Sequence, residues 1–412
     1  MAKSSNRRPR LRPIETIFVP DPKLGRVLML RDTEGITPNA MMVPAHLAAV
    51  VGRFSGTRSV EQIATEASRA TGETISAALV DQIADELDAG YFLESERFRA
   101  RRAEVVQEFT DSPSRPASHA GGAYHGDATK LRRFIEDECL AKAPERPSHG
   151  KLVGLCAPHM DLWRASTGYG HAYRVLHERL SEDVDTFVLL GTCHAAMEQP
   201  FAVCAKRFET PLGGLEPDLE ALGELGRKSR FDVRADEFLH KREHSLEFQA
   251  VFLRHALGER ADGVRIVPIL CGLGAAQSSG RDPALDAESE SFLAALGELV
   301  ESRAGRVMVL AGADLAHVGP RFGDPAPYDE GQRGQLRARD GESIDLALAG
   351  DAPGFFEQVA SDLDERRVCG LGPLYTLLRV LSSTKGERLH YTQHIDPEEG
   401  SIVSHASLAW SR

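Results

Sequence analysis

Long apolar runs are missing from this chain. None approaches the roughly 18 residues that a membrane-spanning helix needs, so no membrane partner is expected. The basic opening, MAKSSNRRPRLRP, leads into no apolar stretch. That argues against a signal peptide and leaves a flexible tail over residues 1–13 as the expectation. Cysteine is sparse. Cys139, Cys156, Cys193, Cys204, Cys271 and Cys369 are scattered and form no CxxC pair, which argues against a disulfide scaffold or a zinc knuckle and for a reduced, cytoplasmic setting. Positive charge is outweighed, with 49 Lys and Arg against 61 Asp and Glu for a net charge of −12. No nucleic-acid partner is expected of such a surface. Neither HExxH nor GxSxG occurs, so hydrolase readings, including zinc chemistry with Glu243 as base, lack their usual motifs.

What is present suggests two domains, since 412 residues with 42% hydrophobic content can bury a large core. Residues 14–100 read as a small α+β domain. IETIFV and GRVLMLRD are short strands, and Asp32–Gly35 is a polar turn. VPAHLAAVVGRF carries helix-spaced apolar residues. SVEQIATEASRATG is a helix with Ser59 as N-cap and Gly72 as its stop, and a third helix ends at Gly90 before a short YFL strand. Residues 101–121, rich in Ser, Pro and Gly towards their end, read as an unpacked linker. Residues 122–412 alternate strands with helices, the pattern of a three-layer α/β domain.

In this second domain the strands end in ionisable residues. LVGLCAPH ends on His159, TFVLLGTCH on His194, and VMVLAGADLAH on Asp314 and His317; Glu243 and His244 precede the helix SLEFQAVFLRHAL. Ligands of open α/β sheets bind outside the carboxyl ends of the strands, so these side chains converge if the sheet is parallel. Imidazole suits iron, copper and zinc. Cys369, in RRVCGLGPLY, lies just before a helix, where the dipole favours thiolate, and is the best cysteine candidate for a third ligand. Cys156 and Cys193 read as packing. His171, His177, His240 and His255 lie on or beside helices, and His390, His394 and His405 lie in terminal strands; all seven read as non-ligands.

The motifs APH, GTCH, TPLGGLEPD, EHSLEFQAVFL, VPILCG, ADLAH and VCGLGPLYTLL occur in the order found in the Memo family, whose prokaryotic members are called AmmeMemoRadiSam system protein B. The resemblance covers roughly residues 120–412. Preceding it, GTRSVEQIA…VDQIADELDAGYFL resembles PqqD-like, winged-helix-like domains that bind peptides in modification pathways. The Memo resemblance implies a fold similar to class III extradiol dioxygenases and one iron (Fe2+) or copper per chain. By motif, the metal would be held by His159, His194 and Cys369, with His244, Asp314 and His317 lining the same pocket. Cys193 stands where the family usually has serine, and Met160, Asp161 and Leu162 replace the usual small residue, glycine and aromatic.

Three functions stay open. One is a redox enzyme related to the dioxygenases, with a small-molecule or peptide substrate and His244 or His317 as acid–base, held by Asp314. The second is a metal-binding protein without turnover. The third is a partner-recognition protein of a radical-SAM-associated modification system, with the N-terminal domain as the protein contact.

Overall fold

The computed structural model describes residues 7–412, apart from 24, 38, 147–149 and 382–383. The chain divides into two units, Met1–Asp111 and Ser112–Arg412. In the first, strands β1 (Glu15–Asp21), β2 (Gly25–Arg31) and β3 (Met41–Pro44) form an antiparallel sheet. Helices α1 (Val60–Thr71), α2 (Ala77–Ala89) and α3 (Glu96–Asp111) follow. Ser59 and Gln62 make a capping box at the start of α1, and Gly72 ends it in the left-handed conformation. Leu28, Leu30, Val43, Ile63, Val80 and Phe92 are among the residues of this unit's core.

Two expectations fail here for identifiable reasons. Arg7–Pro13 do not form a loose tail; the rest of that stretch, residues 1–6, lies outside the described residues. Leu11 N donates to Phe54 O at 2.7 Å, and the buried Arg12 guanidinium meets Asp32 at 2.9 Å. The Asp32 carboxylate already caps the backbone N–H groups of Glu34, Ile36 and Thr37, and a buried anion of this kind needs a cation. Residues 101–111 are not a linker either. They complete α3, where Phe98, Val105 and Phe109 fall on one buried stripe. The strand expected at 91–93 is reduced to a bridge between Leu11 and Leu93.

The second unit is mixed α/β. Its sheet is built from β4 (Leu152–Ala157), β5 (Thr186–Thr192), β6 (Phe201–Val203), β7 (Arg265–Cys271), β8 (Val307–Gly312), β9 (Asp314–Val318), β10 (Lys385–Ile395) and β11 (Ile402–Ser411). The order is β9-β11-β4-β8-β5-β7-β6, with β10 paired to β11 and the short Glu216–Pro217 strand to β7. β4, β8, β5 and β7 run parallel. Their side chains alternate between two buried faces. Val188, Leu190, Val267 and Val309 join a core with α6 (Ala287–Ser302), α7 (Ala352–Ala360) and α8 (Leu371–Val380), whereas Phe187, Leu189 and Leu310 are buried on the other side. That other face is covered by α4 (Leu162–Arg179) and α5 (His244–Leu257), whose Tyr169 and Phe252 stack at 4.5 Å. The layers are therefore helix, sheet, helix.

The stretch VMVLAGADLAH, read as one strand, breaks at Ala313 into β8 and β9. β11 pairs with β4 through Leu408–Ser411 and with β9 through Ile402–His405. β9 thus lies beside β11 beyond the carboxyl end of β4, which sets Asp314 next to His159. Two glycines let α5 reach the sheet. A Cβ on Gly191 would come within 2.5 Å of Ser245 Oγ, and one on Gly312 within 2.4 Å of the Ser245 carbonyl. Among the described residues no helix is long and apolar enough to cross a membrane.

Candidate metal centre

β4 and β5 flank β8, and α5 begins above the ends of β5 and β8, so three histidines from separate parts of the chain come together. The His159 ring lies 5.1 Å from that of His194 and 5.4 Å from that of His244, both edge-on, and His194 and His244 stack at 4.5 Å. One ring nitrogen from each lies within 4.8 Å of the other two.

Two of the rings, His159 and His194, are oriented by an oxygen hydrogen-bonded at Nδ1. His159 Nδ1 is 3.0 Å from the Gly312 carbonyl, and His194 Nδ1 is 3.1 Å from Glu243 Oε1. His244 Nδ1 stands 3.3 Å from the same Glu243 oxygen. An oxygen at Nδ1 fixes the proton there and leaves the Nε2 lone pair for a metal, the usual support behind metal-binding imidazoles. Glu243 is also the N-cap of α5, accepting from Ser245 N at 2.9 Å, and it accepts from His194 N at 2.9 Å.

Asp314 is turned to His159, taking its backbone N–H at 3.0 Å, with its second oxygen 3.7 Å from Nε2. It therefore supports a histidine other than the two expected to lean on it. His317 is held instead by the carbonyls of Leu315 and Arg367, at 3.1 and 3.2 Å. Cys369 reaches the cluster: its Sγ is 3.2 Å from His159 Nε2. Gly370 N donates to the Asp314 carbonyl, and Thr192 Oγ1 to the Cys369 carbonyl, so the thiol-bearing turn is tied to the ends of both β9 and β5.

Burial shapes the protonation of the site. It lowers the pKa of His159 and, more strongly, of His244, keeping both rings neutral. His317 is pushed down to about 4, by burial first and with the other imidazoles adding to it. For Glu243 burial acts upward, but the His194 and His244 imidazoles and its hydrogen bonds prevail and hold it well below the usual carboxylate range. Burial raises the Cys369 thiol well above its ordinary value. The helix that follows does not by itself make it a thiolate; a bound cation would.

The supposed linker supplies the residues that sequence reasoning missed. Arg115, fully buried, donates to the carbonyls of His240 and Glu243 and pairs with Glu247, also fully buried. Glu247 further accepts from Ser118 N, His119 N and Tyr124 Oη and meets His119 Nδ1 at 3.1 Å. The His119 ring packs edge-on against His244 at 5.7 Å. A glutamate on the buried face of an otherwise apolar helix, EHSLEFQAVFL, was the available signal.

A family model described as Memo-like protein matches residues 115–409, from Arg115 into β11. The chain belongs to the Memo family. A MEMO1 family protein of Aquifex aeolicus (strain VF5) is 30% identical over 389 residues, covering 94% of this chain and 96% of its own length. Such coverage necessarily runs into the first unit. A MEMO1 family protein of Thermus thermophilus is 26% identical over 352 residues, 85% of this chain and 98% of its own. A Memo-family protein of Thermococcus onnurineus (strain NA1), 26% identical, takes up only 71% of this chain while 98% of its own length is matched. A crystal structure of an uncharacterized protein of Escherichia coli K12, at TM-score 0.35 and 14% identity, covers 63% of this chain and 99% of that one. A likeness that low carries no argument about fold or function.

Proposed function

We propose that this Memo-family chain binds one metal ion, iron(II) or copper, through Nε2 of His159 and His194, with His244 and the sulfur of Cys369 as further donors. One observation carries the reading: three imidazoles meet, and two of them, His159 and His194, have Nδ1 hydrogen-bonded to an oxygen, which leaves their Nε2 as the atom to donate to a metal. A nitrogen-and-sulfur donor set of this kind fits iron, copper or zinc and does not fit magnesium or calcium. When bound, iron(II) or copper would supply one-electron and oxygen chemistry related to that of the extradiol dioxygenases. The chain's own part is to orient the rings through Glu243 and Gly312 and to hold His159 against Asp314.

Metal binding without turnover is the second reading, and a specific feature favours it. Dioxygenase iron is usually held by two histidines and a carboxylate. Here Glu243 and Asp314 stand behind imidazoles, and a soft, oxidisable thiol occupies the nearby place. On either reading the first unit serves as a PqqD-like peptide or partner module of a radical-SAM-associated system.

Elemental analysis of protein purified without a metal-binding tag tests the metal, with about one iron or copper per chain expected. His159→Ala and His194→Ala should each empty the site, and full stoichiometry in both variants ends the proposal. Oxygen uptake over a panel of catechols then separates turnover from storage.

A further inference from the structure

Between α7 and α8 the backbone is strained. Four non-glycine residues take left-handed φ values among the described residues, and three of them fall here: Leu363 at 51°, Asp364 at 68° and Arg367 at 50°. Aspartate tolerates that conformation, but in leucine and arginine Cβ crowds the following carbonyl. Leu363 buries little in return, since it is 74% exposed. Strain of this kind persists only where the surroundings impose it. Arg366, buried, donates to Asp362 Oδ2 at 2.8 Å and to Asp340 Oδ1 at 3.1 Å. Arg367 donates to Asp324 Oδ1 at 2.8 Å and to the His317 carbonyl at 3.2 Å, with 35% of its side chain exposed. Asp364 accepts from Gln277 Nε2 at 2.7 Å. The strained stretch runs directly into Cys369, whose Sγ lies 3.2 Å from His159 Nε2. The turns that carry His159, His194 and His244 hold no such residue among those described.

We propose that residues 361–369 are a spring-loaded strap, held shut by the Arg367–Asp324 pair, whose opening withdraws the Cys369 thiol from the imidazoles. The buried Arg366 cluster is the fixed end, and the Arg367–Asp324 pair, partly in solvent, is the latch. Opening breaks the hydrogen bond from Gly370 N to the Asp314 carbonyl and the one from Thr192 Oγ1 to the Cys369 carbonyl. The strap stands on geometry alone. Its consequence rests on the metal reading: sulfur becomes a donor that the protein can offer or remove while the histidines stay in place.

The test uses the full chain without metal, so it is decided separately from the elemental analysis. Hydrogen exchange is followed in peptides spanning 361–371, and iodoacetamide labelling of Cys369 is located by peptide mass. Asp324→Asn keeps an oxygen for Gly319 N, which Asp324 also holds. In that variant both rates should rise about fivefold, the size of one partly exposed ion pair. In Leu363→Gly both should fall about threefold, which is the left-handed penalty less glycine's added freedom in the open strap. The double variant should return close to the wild type. Leu363→Gly that labels as fast as the wild type, or faster, overturns the strap, and so does Asp324→Asn at the wild-type rate. Exchange that changes without any change in labelling also overturns it, because the strap would then move without the thiol. Cys156, Cys204 and Cys271 are buried and stay unlabelled in a folded chain. Their labelling would reveal an unfolded Asp324→Asn, and Leu363→Gly then decides alone.

Discussion

Glu243 and Glu247 stand one turn apart on α5, both buried and both held as carboxylates, but with different company. Glu247 faces a guanidinium, Arg115, together with four further donor groups. Glu243 is met by two imidazoles and two backbone N–H groups, and no Arg or Lys bonds its carboxylate among the described residues. Three other buried acids have guanidinium partners, Asp32 with Arg12, Asp218 with Arg303 and Asp340 with Arg366, while Asp236 accepts the backbone N–H groups of Glu198 and Gln199. Asp314, the other buried acid of the centre, leans on His159. A buried anion without a cation is costly, and here Glu243 stands beside His194 and His244 while Asp314 lies beside His159. A divalent ion on those rings would supply the missing positive charge. On the proposed metal reading, Glu247 serves the architecture and Glu243 the ligand.

The harshest way to break this contrast is Arg115→Met. It strands the Glu247 charge and frees the carbonyls of His240 and Glu243. Removing one partner of a buried ion pair costs about 3–5 kcal/mol, to be read from urea denaturation at pH 7. A loss under about 1 kcal/mol, the size of a single net hydrogen bond, would mean that Glu247 is no better compensated than Glu243.

Acid gives the next largest effect. Burial raises the Glu247 pKa, but Arg115 first and then His119 and Tyr124 outweigh it and bring the group from 4.5 to about 2. A depressed carboxylate contributes stability that is present above its unfolded pKa and is lost as pH falls from about 4.5 through 2, in all roughly 3 kcal/mol. His240, pushed down to about 3 by burial, adds an earlier loss that begins near pH 6.5. Denaturation of the wild type should therefore become easier from about pH 6.5 downward, with a steeper fall below about 4.5. Glu247→Gln, less stable at pH 7, should keep the first slope and lose the second.

The same helix shows which parts of the structure could be read from the sequence. Residues at the ends of buried strands were legible, because such strands announce where they stop: His159, His194 and Asp314 come together, joined by Cys369 from the turn before a helix. The parallel order was legible from alternating strands and helices. The ring of support was not. Whether Asp314 holds His317 or His159 depends on the break at Ala313 and on the β9–β11 register, which no local pattern records. Arg115 and His119 sat in a Ser/Pro-rich stretch that looks unpacked, because composition reports the propensity for regular structure and says nothing of a buried acid awaiting a partner elsewhere.

Glu243→Gln sharpens the comparison from the other side. Glutamine keeps the shape and an acceptor oxygen but removes the charge, so the apoprotein should give up the stability that the depressed Glu243 carboxylate supplies at neutral pH, a smaller loss than in Arg115→Met. Metal affinity should fall about 10- to 100-fold, the usual effect of losing a carboxylate behind a metal-binding histidine, as measured by competition with a chelator. If apoprotein stability falls as far as in Arg115→Met while affinity holds, the roles of the two glutamates have been exchanged.

Tyr124→Phe carries the smallest effect and the finest distinction. The Tyr124 hydroxyl gives Glu247 Oε1 a hydrogen bond at 2.5 Å, and that oxygen also has His119 N at 2.8 Å. Its loss leaves the arginine in place, so the carboxylate stays ionised and paired. The cost is then one hydrogen bond to a charged group, about 1.5 kcal/mol, well short of the loss from Arg115→Met, with metal content unchanged. A cost equal to that of Arg115→Met would show the pocket to be a cooperative network in which no donor is spare. In that case the number of donors, and not the presence of a guanidinium, would be what separates Glu247 from Glu243.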